Sequence, residues 1–184
     1  MADCVVVILQ GDVAAAVEDL WSEFERRWGL RRSHAVGSPH LTLAILQGDH
    51  HNHERLRASL AAHAGTWTPF PVTGAGYGVF LGHGPESPVL HLAVTRTPRL
   101  TALHKAVLHD VAAAVLEVDG QTLPEYWRPH VTLADAGLTP ASVGEVMSYL
   151  LERGPRHWTL DVDNVAVMTS EGEVSFRLPL SGGN

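Results

Sequence analysis

The sequence predicts an α+β domain of two similar lobes, with two antiparallel-type sheets, outer helices and a central cleft. Two observations lead there. Hydrophobic periodicity alternates between strand-like and helix-like stretches in the same order in each half of the chain. A hexapeptide also recurs, as Pro39-His40-Leu41-Thr42-Leu43-Ala44 and Pro129-His130-Val131-Thr132-Leu133-Ala134. Two copies are too few for a solenoid. They suit a pseudo-twofold arrangement in which equivalent strands face each other across a cleft. The 184 residues fit a single domain over 1–184, with lobe one at about 1–84, lobe two at about 85–184, and terminal strands free to exchange.

The elements follow in order. Val5–Leu9 reads as a buried strand. Gly11-Asp12 offers a turn and an N-cap for an amphipathic helix to about Trp28, closed by Gly29. His40–Leu46 alternates as a strand, with Leu41, Leu43 and Ile45 on one face and His40, Thr42 and Ala44 on the other. Asn52 can cap a helix over about Glu54–His63, ended by Gly65. Phe70–Val72 and Tyr77–Leu81 read as a further strand or hairpin, the glycine run 74–78 between them as a flexible turn, and Gly82–Pro88 as a linker.

The second half repeats this order. Val89–Val94 is a strand, and Pro98 opens a helix to about Glu117 with Leu100, Leu103, Val107, Val111 and Val115 on one stripe. After a loop through Pro124 comes the strand with the second hexapeptide. Pro140 and Ser142 start a helix to about Glu152. Trp158–Met168 and Val174–Leu180 close the chain as strands, joined by a hairpin across Ser170–Gly172.

Composition narrows the function classes. Hydrophobic residues make up 45% and charged residues 18%, as in a globular protein and unlike a disordered one. No apolar run approaches the roughly 18 residues that span a bilayer. The N-terminus lacks a basic segment and Cys4 is the one cysteine, so the cytoplasm is expected. The net charge is −7 and Lys105 is the single lysine, whereas a binder of long RNA carries a broad basic surface. A small phosphate compound or an RNA terminus is therefore the expected partner, with no membrane and no obligate protein partner.

In each hexapeptide the histidine and threonine lie two apart on a strand, hence on one face. Two such pairs across a cleft supply what in-line displacement at phosphorus requires. One imidazole takes the proton of the nucleophile and the other protonates the leaving oxygen. The hydroxyls hold the non-bridging oxygens. No metal or cofactor is needed, and His40, Thr42, His130 and Thr132 are the expected catalytic residues.

The paired His40-Leu41-Thr42 and His130-Val131-Thr132 resemble the motifs of the two-histidine phosphoesterase superfamily, most of all its bacterial 2',5'-RNA-ligase-like branch of RNA 2',3'-cyclic phosphodiesterases. The resemblance runs from the first strand to the last. It implies a bilobal fold with both motifs lining a central cleft, and opening of 2',3'-cyclic phosphates to a 2'-phosphate. It also implies that His40 is the proton donor and His130 the base. Members of that branch often carry a basic residue just after a motif, where this chain has Ala44-Ile45 and Ala134-Asp135. The rival reading is a nucleotide- or RNA-end-binding module without catalysis.

Tyr126, Trp127 and Arg128 precede the second motif and are the candidate substrate-binding residues. An aromatic ring there can stack on a base and a guanidinium can meet phosphate. The alternatives are that Trp127 packs into the core and that Arg128 is solvated. Arg96 has the same two options. The run Asp49-His50-His51-Asn52-His53 reads as a helix start more than a metal site, because adjacent histidines diverge. His91, His104 and His109 read as helix-surface or strand residues.

Overall fold

The computed structural model describes residues 2–31, 37–48, 53–81, 88–114, 117–153 and 158–182. In chain order the elements are β1 (Cys4–Ile8), α1 (Gly11–Trp28), β2 (His40–Gln47), α2 (His53–Ala64), β3 (Phe70–Leu81), β4 (Pro88–Val94), α3 (Pro98–Ala113), β5 (Glu117–Val118), a 3-10 turn (Gly120–Thr122), β6 (His130–Ala134), α4 (Pro140–Glu152), β7 (Trp158–Val162), β8 (Asn164–Met168) and β9 (Val174–Pro179). They form two antiparallel sheets, ordered β5-β2-β1-β8-β9 and β6-β4-β3-β7. The fold class is the expected α+β. Both sheets draw strands from both halves of the chain. β3 joins the sheet of β4 and β6, and β8 and β9 join that of β1 and β2.

Local chemistry sets most boundaries. β1 is a run of Val and Ile after Cys4, every residue of it buried, as befits a central strand. Gly29 ends α1 in the left-handed conformation, at φ 65°. Thr97 caps α3 by accepting from the Leu100 amide, and Thr139 with Ser142 forms a capping box on α4. The expected side-chain cap on α1 does not form. Gln10 stands at that position, and its amide donates instead to Asp163 at 3.1 Å.

Four expectations are corrected. The helix from Pro98 stops at Ala113, and Glu117–Val118 pairs with Leu46 and Gln47 at the edge of the first sheet. Trp158–Met168 is two strands, broken at Asp163, and the halves enter different sheets. Phe70–Leu81 is one strand with an irregularity between Gly74 and Tyr77, so the strand alternative holds and the flexible turn between its parts does not. Its glycines serve close approach. A Cβ on Gly74 would lie 2.7 Å from that of Trp158, and one on Gly78 would lie 2.9 Å from His91 Nε2. The fourth concerns β2. Val5 pairs with Ala44 and Val6 with Thr42, so Leu43 is an extra, bulged residue. Past it the alternation changes phase. Ile45 packs beside Cys4, Val6 and Ile8, and Leu46 joins Leu41 and Leu43 in the main core. The proposed cap Asn52, most of the proposed linker and Val115 lie outside the described residues.

The helices cross over. α1, from the first half, packs on β6 and β7, and α3, from the second half, packs on β2 and β5. The crossing places an indole at each motif strand. Trp21 of α1 donates from Nε1 to the Thr132 carbonyl at 3.1 Å. Trp127, just before β6, donates from Nε1 to the Thr42 carbonyl at 2.9 Å. Each half thus holds the other half's motif. Trp127 is itself fixed. His104 stacks on it at 3.9 Å with planes 5° apart, and Arg96 lies 5.5 Å from its ring centroid. Arg96 also donates to the carbonyls of Trp127 and Pro124. Trp127→Phe removes the donor and leaves a polar group unsatisfied, so an unfolding melt is expected to report a loss of about 1–3 kcal/mol. An unchanged melting curve would mean that the indole bond does not brace the motif.

Candidate active site

The sequence repeat is also a repeat of pairing. On β2, His40 lies opposite Ile8, Leu41 opposite Val7, Thr42 opposite Val6, and Ala44 opposite Val5, with Leu43 bulged. On β6, His130 lies opposite Ala93, Val131 opposite Leu92, Thr132 opposite His91, and Ala134 opposite Leu90, with Leu133 bulged. The proline before each motif accepts the same bond. The Leu9 amide donates to the Pro39 carbonyl at 2.8 Å, and that of Val94 to the Pro129 carbonyl at 3.0 Å. Val131, Leu133, Leu41 and Leu43 are buried in the core, and the histidines and threonines are half-buried on the opposite face. β2 and β6 lie against one another where the two sheets meet.

The histidine rings are set alike. His40 Nδ1 lies 2.8 Å from the Ser38 carbonyl, and His130 Nδ1 lies 2.7 Å from the Arg128 carbonyl. A carbonyl can only accept, so Nδ1 carries the hydrogen in both rings. Each neutral ring then keeps its lone pair on Nε2, the nitrogen away from the backbone. His130 is strongly perturbed. Burial, chiefly, pushes it down to about 4, the Arg128 carbonyl opposes this, and the nearby His91 and His40 lower it further. His130 is therefore neutral at neutral pH, and His40 is near enough for its charge to be felt there.

The three residues before β6 have separate placements. Tyr126 is 64% exposed. Arg128 is exposed, orients His130 through its carbonyl, and acts electrostatically on His91. Trp127 is 4% exposed with its ring against His104, which is the packing alternative. Arg96 is the brace of Trp127 described above.

Sequence reasoning passed over two neighbours of His130. The Phe80 centroid is 4.9 Å and that of His91 5.5 Å from the His130 centroid, and Phe80 and His91 are 4.7 Å apart. The signal was present in part. Leu90, Leu92 and Val94 fill one face of β4, so His91 had to occupy the other. That this face adjoins His130 depends on strand pairing. His104 was also missed. It is fully buried, and burial, chiefly, pushes it down to about 4, so it stacks as a neutral ring.

Among the described residues no group of three His, Cys, Asp or Glu side chains is placed to share an ion. Both ring nitrogens of His53 are engaged, Nε2 with Asp3 at 2.7 Å and Nδ1 with the Ser175 hydroxyl at 2.8 Å. His50 and His51 lie outside the described residues. No described helix is long and apolar enough to cross a membrane.

Comparison with known proteins bears on the fold and the family. The crystal structure of TT0787 of Thermus thermophilus superposes with a TM-score of 0.65 at 21% identity, over 100% of both chains. That of E. coli LigT complexed with 3'-AMP gives 0.56 at 17% identity, over 97% of this chain and 94% of that one. Kluyveromyces marxianus Usb1 with uridine monophosphate gives 0.51 at 13% identity, over 97% of this chain and 98% of that one. These identities carry the fold alone. No curated protein sequence matches significantly. The model of the 2'-5' RNA ligase superfamily matches residues 10–173. With that match spanning both histidine motifs, the chain belongs to the 2'-5' RNA ligase superfamily, the two-histidine phosphoesterases.

Proposed function

We propose that this phosphoesterase opens 2',3'-cyclic phosphates of nucleotides or RNA ends, leaving a 2'-phosphate. The carrying observation is the pair of pseudo-equivalent histidines, each with Nδ1 tied to a backbone carbonyl and one of them held neutral. In the proposed reaction His130 Nε2 takes a proton from water as the water oxygen bonds to phosphorus. The bond from phosphorus to the 3'-oxygen breaks, and that oxygen receives the proton on His40 Nε2. One water is consumed, and the product carries a 2'-phosphate and a 3'-hydroxyl. Thr42 and Thr132 donate to the non-bridging oxygens, where charge builds in the transition state.

Several features support a small or terminal substrate. The net charge is −7, and Asp135 follows the second motif directly. Tyr126 and Arg128 stand exposed beside that motif, where a base and a phosphate can meet them. The related LigT and Usb1 structures hold 3'-AMP, NADP+ and uridine monophosphate, so nucleotides are the natural class to assay.

Two outcomes test the proposal. His40→Ala and His130→Ala are each expected to lower kcat by about 10²–10⁴ on 2',3'-cyclic mononucleotides with the melting curve retained. The parent is expected to keep its rate in chelator. Full turnover in both variants contradicts the assignment, and nucleotide binding without product in the parent favours the binding module. The second outcome is the pH profile. Protonation of His130 removes the base, so kcat/KM is expected to fall on the acid side with a midpoint near 4. An acid limb whose midpoint differs from that of the His130 ring titration would mean that His130 is not the base.

A further inference from the structure

The two motifs match in backbone pairing and differ in one neighbour. The residue opposite Thr42 is Val6, fully buried among Cys4, Ile8, Ala166 and Met168. The residue opposite Thr132 is His91. Its ring has a built seat. Nδ1 lies 3.3 Å from the Val89 carbonyl, and Phe80 packs on the ring at 4.7 Å. Nε2 overlies Gly78, where a Cβ would approach to 2.9 Å, so the ring needs a glycine on β3. From this seat it meets His130 at 5.5 Å with planes 70° apart.

Resting on the function proposed above, we propose that His91 is a positioning residue that biases which of the two equivalent histidines serves as the base. Two imidazoles this close do not readily both hold protons, because the second charge is set against the first. His91 therefore adds to burial in keeping the proton off His130, and the matching position beside His40 holds an uncharged valine. The groups around His130 can be named by element. β4 contributes His91, β2 contributes His40, the segment before β6 contributes Arg128, and β3 contributes the uncharged Phe80. Burial, chiefly, and then Arg128 favour the neutral form of His91 as well. A symmetric backbone is thus given an asymmetric charge preference, a neutral base on β6 and a proton donor on β2.

The test is the titration of His130 followed by NMR in the full chain, with His91→Val, which copies the Val6 side, and His91→Phe, which keeps a ring against Phe80. Both variants are expected to move the His130 midpoint upward by the part of its displacement that His91 supplies, while burial keeps it below about 6.5. The acid limb of kcat/KM is expected to move with it. The plateau rate is expected to fall less than the roughly 10²-fold that loss of an acid–base group brings. A His130 midpoint unchanged in both folded variants overturns the inference. So does a plateau loss of 10²-fold or more with that midpoint unmoved, which would make His91 a group acting on substrate. The titration needs no turnover, so a parent inactive on every cyclic phosphate would overturn the proposed reaction and leave this inference to be decided separately.

Discussion

The site depends on two crossed hydrogen bonds. The Trp21 indole, on a helix of the first half, holds the Thr132 carbonyl, and the Trp127 indole, in the second half, holds the Thr42 carbonyl. Each bond is worth only about 1 kcal/mol. Their value lies in position. The sheets cannot slide past one another without breaking the bond from Trp127, just before β6, to Thr42 on β2, and the Trp21 bond fixes α1 against β6. Chemistry between two side chains and one phosphorus atom loses rate steeply with displacements near 1 Å. Burial reinforces the constraint, because Trp127 is wedged between His104 and Arg96.

On that frame the molecule superimposes unequal environments. The register, the bulge, the proline carbonyl bond and the Nδ1 tether are common to both motifs. The floors are not. β1 and β8 present Cys4, Val6, Ile8, Ala166 and Met168 beside His40, whereas β3 and β4 present Gly78, Phe80, His91 and Ala93 beside His130. Duplicated strands with different floors offer a physical route from two interchangeable imidazoles to a distinct acid and base.

Much of this was legible in the sequence, for local reasons. The hexapeptide repeat marked both motif strands, and helix punctuation at Gly29, Pro98 and Pro140 is short-range chemistry. What was hidden depends on pairing between distant segments. The bulge at Leu43 arises from register with β1, so alternation alone put Ile45 on the wrong face. Gly74 and Gly78 looked like a flexible run because the rings lying over them come from β7 and β4. His91 and His104 looked unremarkable for the same reason. One gains its meaning from β6 and the other from Trp127. The helical pattern ran on to about Glu117, where the edge of β2 instead takes Glu117–Val118 as a strand.

The proposed chemistry needs two imidazoles from duplicated strands acting on one phosphorus atom. A crystal structure with a nucleoside vanadate, whose five-coordinate vanadium mimics the transition state, tests this most directly. His40 Nε2 and His130 Nε2 are expected within about 2.6–3.2 Å of oxygens on opposite sides of one vanadium, with the Thr42 and Thr132 hydroxyls on its equatorial oxygens. Vanadium bound away from these rings, or reached by only one of them, would contradict it.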